Sequence, residues 1–197
     1  HAEELHVKRR EGAQRLEKEI VQELKELYME HAQFGVRFAN NSKQLTANGC
    51  EVVEFYLTTN PGEGLKPLVR VASGGELSRI LLALKSIFSR KQGITSIVFD
   101  EVDTGVSGRV AQAIAEKIAK IAAHSQVLCI THLPQVAAVA DNQYFIEKAI
   151  QDGRTETHVR KLAQQERVTE IARMLTGAEI TDLTVEHARE LLSQAHQ

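Results

Sequence analysis

The sequence predicts an α/β fold, with a mainly parallel sheet flanked by helices, and three observations lead to this prediction. Residues 94–99 and 126–130 are short apolar runs of the length expected for buried parallel strands. Between them, residues 110–122 are rich in alanine and isoleucine and favour a helix. Polar residues directly follow both strands, at the edge where open α/β sheets bind ligands. We therefore expect a strand–helix–strand unit with functional side chains at its carboxyl edge.

The remaining segments extend this alternation of strands and helices. Runs of β-branched and aromatic residues predict strands, and apolar residues spaced by three and four predict helices. Asp152-Gly153 predicts a hairpin turn, and Gly177 predicts a helix C-cap. The predicted strands are residues 34–39, 51–58, 144–150 and 155–162, and the predicted helices are residues 75–90, 168–176 and 185–192.

The first 32 residues have apolar side chains on one helical face, among them Leu16, Ile20 and Leu24. Two interpretations fit this pattern equally well: an amphipathic helix that packs on its own domain, or the end of a coiled-coil arm. The chain begins with His1 rather than Met, so we expect it to be part of a longer polypeptide. We accordingly divide it into an arm end, residues 1–32, and a lobe, residues 33–197.

Composition argues against several classes of protein. A formal net charge of −2 gives no overall basic character for binding nucleic acid, and no apolar run reaches the ~18 residues of a membrane span. The two cysteines, Cys50 and Cys129, form no C-x-x-C pair, so we expect buried, free thiols. The histidines have no metal-ligand spacing, which argues against zinc.

Asp100 and Glu101 are the most informative pair, because two consecutive carboxylates end the first apolar strand. One carboxylate at this position can hold Mg²⁺, and the second can orient or deprotonate an attacking water. Many strands end in an acidic residue only because a turn begins there. Taken alone, the pair therefore also fits a structural role.

The segment Ala72-Ser73-Gly74-Gly75-Glu76 is the second candidate. Ser73 and Glu76 have the spacing of a capping box at the start of a helix. The two glycines expose backbone N–H groups at a helix N-terminus, where an anion is favoured. A plain cap after a turn is the simpler interpretation, but two glycines beside the cap are more than a cap requires.

The segment Thr131-His132-Leu133-Pro134 follows the second strand. His132 can donate a hydrogen bond to a phosphate oxygen or polarise a water, although a lone histidine is more often structural. Pro134 suits the first turn of a helix, and Ser107 can cap the helix after the first strand. The sequence has no G-x-x-x-x-G-K-[ST] phosphate loop, so we expect poor ATP binding by this chain alone.

The order and residues of these motifs resemble those of the C-terminal lobe of P-loop ABC-type ATPase heads of the SMC and Rad50 kind. In that family a long coiled coil separates the two lobes of a head. The resemblance extends over residues 34–192 and is closest to a bacterial DNA-repair branch of the family. The family signature often has Leu and Gln where this chain has Ala72 and Glu76. The stretches that carry it are NPGEGLKPLVRVASGGELSRILLALK, FDEVDTGVSGRVA, QVLCITHLPQVAAVAD and ERVTEIARMLTG.

The resemblance implies roles for three residues around one nucleotide. Asp100 matches the Walker B aspartate that serves Mg²⁺, and Glu101 matches the catalytic glutamate that positions water. His132 matches the switch histidine near the γ-phosphate.

The resemblance also implies a group of residues that act between two heads. Asp103 falls in the D-loop, which lies across the dimer interface in the family. The residues that match the signature, which contacts ATP held by the opposing head, are Ser73, Gly74, Gly75 and Glu76.

By the same resemblance, the cofactors are ATP and Mg²⁺, and residues 1–32 are the returning arm of the coiled coil. The implied partners are an N-terminal Walker A lobe of the same protein, a second copy of the head, and DNA. The implied setting is double-strand break repair and recombination by a cytoplasmic, nucleoid-associated protein without a membrane partner. Two alternatives stay open: the head lobe of another SMC-like ATPase, and a non-hydrolysing dimerisation module.

Overall fold

The computed structural model describes residues 1–40, 45–70, 74–100, 102–151, 154–177 and 179–195. These residues form two compact units, His1–Thr95 and Ser96–Gln197. Each unit has its own helices, strands and buried apolar side chains.

The first unit combines helices with an antiparallel sheet. Its elements are α1 (Ala2–Glu26), β1 (Gln33–Asn40), β2 (Glu51–Thr58), β3 (Lys66–Pro67), a 3-10 helix (Leu68–Arg70) and α2 (Gly74–Gln92). β1 and β2 pair antiparallel along their whole length, and β3 pairs with the end of β2. The predicted strands at residues 34–39 and 51–58 and the predicted helix at residues 75–90 are confirmed.

α1 packs on its own unit through its C-terminal half. Ile20 and Leu24 are fully buried where α1 meets β1 and α2. The carboxylate of Glu23 accepts a hydrogen bond from Arg90 of α2 at 2.6 Å, and Glu17 accepts one from the backbone N–H of Val36 at 2.7 Å. The apolar face of this half therefore packs within its own unit. The continuation of α1 into a longer arm stays a prediction.

The second unit contains the strand–helix–strand pattern that the sequence predicts. Its elements are β4 (Ser96–Asp100), α3 (Gly108–Ala122), β5 (Gln126–Ile130), α4 (Pro134–Ala138), β6 (Tyr144–Gln151), β7 (Arg154–Lys161), α5 (Gln164–Thr176) and α6 (Asp182–Gln194). β4 and β5 are parallel, and α3 is the crossover helix between them. β6 and β7 form the predicted antiparallel hairpin.

The last three helices pack around a small apolar core. Ile171 and Ala172 of α5 and Ala188 of α6 are fully buried there, together with Ala138 of α4. Gly177 ends α5 with a positive φ of 83°, and its N–H donates to the carbonyl of Arg173 at 2.8 Å. The predicted C-cap is confirmed, because this backbone conformation suits glycine.

The α/β class is confirmed, but parallel pairing is a smaller part of it than the sequence predicts. Among the described residues only β4 and β5 pair parallel, and the other two sheets are antiparallel. The expectation that β4 and β5 are buried is wrong for one face, where Val98, Leu128 and Ile130 are 54%, 53% and 53% exposed. No further layer of the described residues covers this face.

Among the described residues, no helix is both long and apolar enough to cross a lipid bilayer.

Candidate functional site

The carboxyl edge of the β4–β5 pair brings the acidic and histidine motifs together. Asp100, the last residue of β4, is the register partner of Ile130, the last residue of β5. Because the strands are parallel, the segments that follow them leave the sheet at the same edge. Asp100 is exposed there, and Glu101 lies outside the described residues.

Asp103 is the buried centre of this edge, with none of its surface exposed. Its Oδ2 accepts a hydrogen bond from the hydroxyl of Thr131 and a second one, at 3.3 Å, from the backbone N–H of His132. The loop after β4 is thereby joined to the loop after β5. The sequence predicts that both loops lie at one edge of the sheet, but it does not predict the hydrogen bonds of Asp103 to Thr131 and His132.

The side chain of Thr131 bonds both to the loop after β4 and to its own loop after β5. Its hydroxyl donates to Asp103 and also accepts from the backbone N–H of Leu133 at 3.0 Å. The side chain of His132 between them is 64% exposed, and its Nδ1 lies 3.5 Å from Oδ1 of Asp103. That Oδ1 is buried and has no hydrogen-bond donor among the described residues. The loop is therefore fixed while the imidazole faces outward.

The carboxylates of Asp103 and Asp100 place negative charge near the thiol of Cys129. Burial is the main cause that raises the pKa of this thiol to about 12, and the nearby charges of Asp103 and Asp100 contribute to the same rise. Both cysteines are free, as the sequence predicts, but each is half-buried rather than buried. Cys129 is on the face of β5 that is partly covered, together with Val127.

The negative charge and the donor set of this edge fit a hydrated Mg²⁺ better than a metal bound by protein alone. The described residues contain no cluster of three His, Cys, Asp or Glu side chains that could hold a metal ion. Mg²⁺ commonly takes one or two carboxylates and completes its shell with water and phosphate oxygens. The exposed carboxylate of Asp100 is suited to such a contact.

α4, which follows His132, is held at its far end by Arg167. Pro134 is the first residue of this short helix, as predicted. The guanidinium of Arg167 on α5 donates to the carbonyls of Ala140 at 2.7 Å and Ala138 at 3.4 Å, and burial lowers its pKa. Hydrogen bonds therefore hold residues 131–140 at both ends. The sequence patterns do not predict the bonds from Arg167.

The loop between Asp103 and α3 becomes exposed immediately after the aspartate. Gly105 and Gly108 have positive φ values of 71° and 56°, which suit glycine. Ser107 occupies the N-cap position of α3, as predicted, but its side chain makes no capping hydrogen bond. The exposed surface of this loop is therefore residues 104–108 rather than Asp103.

The signature motif is in the first unit, at the start of α2. Gly74 is the first residue of the helix, and a Cβ added to it would meet nothing within 4 Å. Ser73 lies outside the described residues, and the proposed capping box with Glu76 therefore stays a prediction. Arg79 donates to the carbonyl of Leu27 at 3.2 Å, which connects α2 with the end of α1, and burial lowers the pKa of its guanidinium.

No protein-family model matches the chain. The DNA repair protein RecN of Bacillus subtilis is 57% identical to it over 203 residues, which cover 96% of this chain and 35% of that relative. By sequence, the chain is RecN-like. The RecN-like chain spans about a third of the length of this curated relative.

Solved structures show that the RecN-like chain has the fold of an SMC head. An Smc head domain with a coiled coil and joint from Pyrococcus yayanosii has a TM-score of 0.59 and 19% identity, over 92% of this chain and 29% of that one. A second chain comes from work on ATP-driven dimerization and DNA-stimulated activation of SMC ATPases. It has a TM-score of 0.59 and 17% identity, and the match covers 89% of this chain and 99% of that chain. At these identities the likeness concerns the fold alone.

Proposed function

We propose that the chain is the lobe of a RecN-like ATPase head that contributes Asp100, Glu101 and His132 to a nucleotide site used in DNA repair. The observation that carries this proposal is the convergence of Asp100, Asp103 and His132 at one edge of a parallel strand pair. A RecN-like sequence over almost the whole chain supports it.

Three residues act on one nucleotide in this proposal. The carboxylate of Asp100 would hold Mg²⁺, which would supply positive charge to offset that of the phosphate oxygens. Glu101 orients or deprotonates the attacking water, and His132 contacts the γ-phosphate through its exposed imidazole. The negative charge near Cys129 supports the presence of a cation at this edge.

A second head completes the site. Ser73, Gly74, Gly75 and Glu76 contact ATP that the opposing head holds, and the D-loop that begins at Asp103 and continues through residues 104–108 faces that head. The exposure of this loop and the open space around Gly74 support both contacts. One structure with this fold comes from work on ATP-driven dimerization of SMC ATPases, which makes a head dimer the natural arrangement to test.

The phosphates are bound by a Walker A lobe elsewhere in the same protein. The half-exposed Val98, Leu128 and Ile130 support this proposal, because parallel strands are normally covered on both faces. Residues 1–32 then lead into the coiled coil between the two lobes, and residues 33–197 form this lobe.

The cellular role is double-strand break repair and recombination, with DNA held by the complete protein in the nucleoid of the cytoplasm. The naming of the Bacillus subtilis relative as a DNA repair protein supports this role. The chain itself has a net charge of −2, so we expect the complete dimer to bind DNA through local basic surfaces.

The experiment that tests the proposal is Glu101→Gln in a complete RecN-like protein that carries this sequence. We expect ATP to bind and hydrolysis to fall by on the order of 100-fold or more, because general-base catalysis is lost. Unhydrolysed ATP then stabilises the head dimer, which sedimentation with and without ATP measures. Glu186→Gln on exposed α6 is the matched control and should leave both quantities unchanged.

Normal hydrolysis by the Glu101→Gln protein would remove Glu101 from the catalytic role. ATP-dependent dimerisation without hydrolysis in the unaltered protein would instead favour the dimerisation module.

A further inference from the structure

We propose that Asp103 is a positioning residue that holds His132 from within its own chain, keeping Nδ1 of the imidazole protonated and Nε2 directed at the nucleotide. The consequence for hydrolysis rests on the proposed function, whereas the position and tautomer of the imidazole do not. The assignment of Asp103 to the D-loop by resemblance gives it a contact with a second head. The structure points to a contact inside the same unit.

Burial is the first reason for this proposal. A carboxylate with no exposed surface is costly unless neighbouring groups donate hydrogen bonds to it. Both donors to Asp103, the hydroxyl of Thr131 and the backbone N–H of His132, belong to the loop after β5. Such a carboxylate has no exposed surface for another head, and within the part of the chain that the structure describes its donors come from the histidine loop.

The unsatisfied oxygen of Asp103 is the second reason. Oδ2 accepts both hydrogen bonds, whereas Oδ1 is buried without a donor among the described residues. The nearest ionisable nitrogen is Nδ1 of His132, 3.5 Å away. A small rotation of the imidazole turns this distance into a hydrogen bond, and the donor is then Nδ1–H.

The consequence for His132 follows from imidazole chemistry. The hydrogen bond that one ring nitrogen makes decides which nitrogen carries the proton. With Nδ1–H held by a carboxylate, Nε2 is the ring atom that faces out of the loop. Two hydrogen bonds fix the backbone from which the imidazole extends. One joins the N–H of His132 to Asp103, and the other joins Thr131 to Leu133.

Nitrogen NMR of this chain tests the tautomer directly. Long-range ¹H–¹⁵N spectra are recorded at a pH where the imidazole is neutral, and His132→Gln assigns the signals. We expect His132 to be mainly the Nδ1–H form, in contrast to exposed histidines such as His187 in the same spectrum. A mainly Nε2–H form of His132 would overturn the proposal, and this result requires no variant of Asp103.

Asp103→Asn keeps the shape of the side chain but removes its charge. We expect the Nδ1–H share of His132 to fall, because a neutral acceptor forms a weaker hydrogen bond than a carboxylate. Arg167→Met is the matched control, since it loosens the same segment at its other end without touching His132. An unchanged tautomer in Asp103→Asn, or an equal change in Arg167→Met, would contradict a specific role of Asp103.

The kinetics of ATP hydrolysis by the complete protein distinguish a positioning role of Asp103 from a role in folding alone. Asp103→Asn should lower kcat for ATP hydrolysis roughly tenfold, with little change in KM, because the imidazole acts in the transition state. A change in KM alone, or none in kcat, would argue against the positioning role. If the tautomer result holds and the unaltered protein hydrolyses no ATP, the proposed function fails while the role of Asp103 toward His132 stands.

Discussion

The carboxyl edge of β4–β5 and the N-terminus of α2 are built in opposite ways. At the edge, the buried Asp103 is hydrogen-bonded to Thr131 and to the backbone of His132, and all three belong to the second unit. At the start of α2, Gly74 is exposed, and a Cβ added to it would meet nothing within 4 Å. The edge is anionic and suits a cation, whereas the N-terminus of a helix favours an anion.

This difference indicates how each region works. The described contacts of the edge all lie within the second unit, and in the proposed function its residues act together on one nucleotide. In the proposed function, the signature at the start of α2 instead contacts ATP that a second head holds. Variants in the two regions should therefore differ in whether one molecule can compensate for a defect in another.

The largest expected effect is complementation between two defective proteins. In the complete protein, Ser73→Arg removes the signature and Glu101→Gln removes the catalytic carboxylate, so each variant alone should be inactive. An equal mixture should recover about a quarter of normal ATP hydrolysis, because half of the dimers are mixed and each of these has one intact site. Steady-state ATP hydrolysis of the mixture measures this.

The control mixture joins two defects at the same edge, His132→Ala and Glu101→Gln. Every site in a mixed dimer then lacks one of the two residues, and no activity should return. ATP hydrolysis in this control mixture, or no hydrolysis in the first mixture, would contradict the proposed difference between the two regions.

A smaller effect concerns the reactivity of Cys129. With a pKa of about 12, its thiol should react with iodoacetamide at pH 8 at least ~100-fold more slowly than in the urea-unfolded chain. Asp100→Asn removes a negative charge beside the thiolate, so the pKa should fall and the reaction should accelerate. Burial, the largest cause, remains, so the rate should stay below that of the unfolded chain.

Peptide mass spectrometry resolves the alkylation of Cys129 from that of Cys50. Equal rates in the folded and unfolded chain would show that the edge lacks the burial and negative charge described above.

The sequence predicts most of the secondary structure because local patterns decide it. β2 and β5 begin and end at the predicted residues, and Gly177 and Pro134 mark the end of α5 and the start of α4 as expected. These features depend on neighbours in sequence: alternation, an apolar run, a positive φ and a fixed φ.

The links between distant residues could not be predicted in the same way. Asp103 and Thr131 are 28 residues apart, and only the parallel register of β4 and β5 brings their loops together. Polar residues after both strands are the one sequence signal for this meeting. From the sequence, Arg167 would be expected on the surface of a helix. Its hydrogen bonds to the end of α4 depend on tertiary packing.

The open face of β4–β5 shows a different limit of sequence reasoning. Apolar runs predict burial, but they do not state which elements cover them. Val98, Leu128 and Ile130 are half-exposed because no described residues form the next layer.

Steady-state ATP hydrolysis by this chain alone, beside a complete RecN-like protein that carries it, tests the central claim most directly. A half-site without a phosphate loop predicts no turnover by the chain and clear turnover by the complete protein. In the complete protein, His132→Ala should lower turnover by on the order of 100-fold. Turnover by the chain alone that Glu101→Gln abolishes would contradict the account, because the chain would then hold a complete nucleotide site.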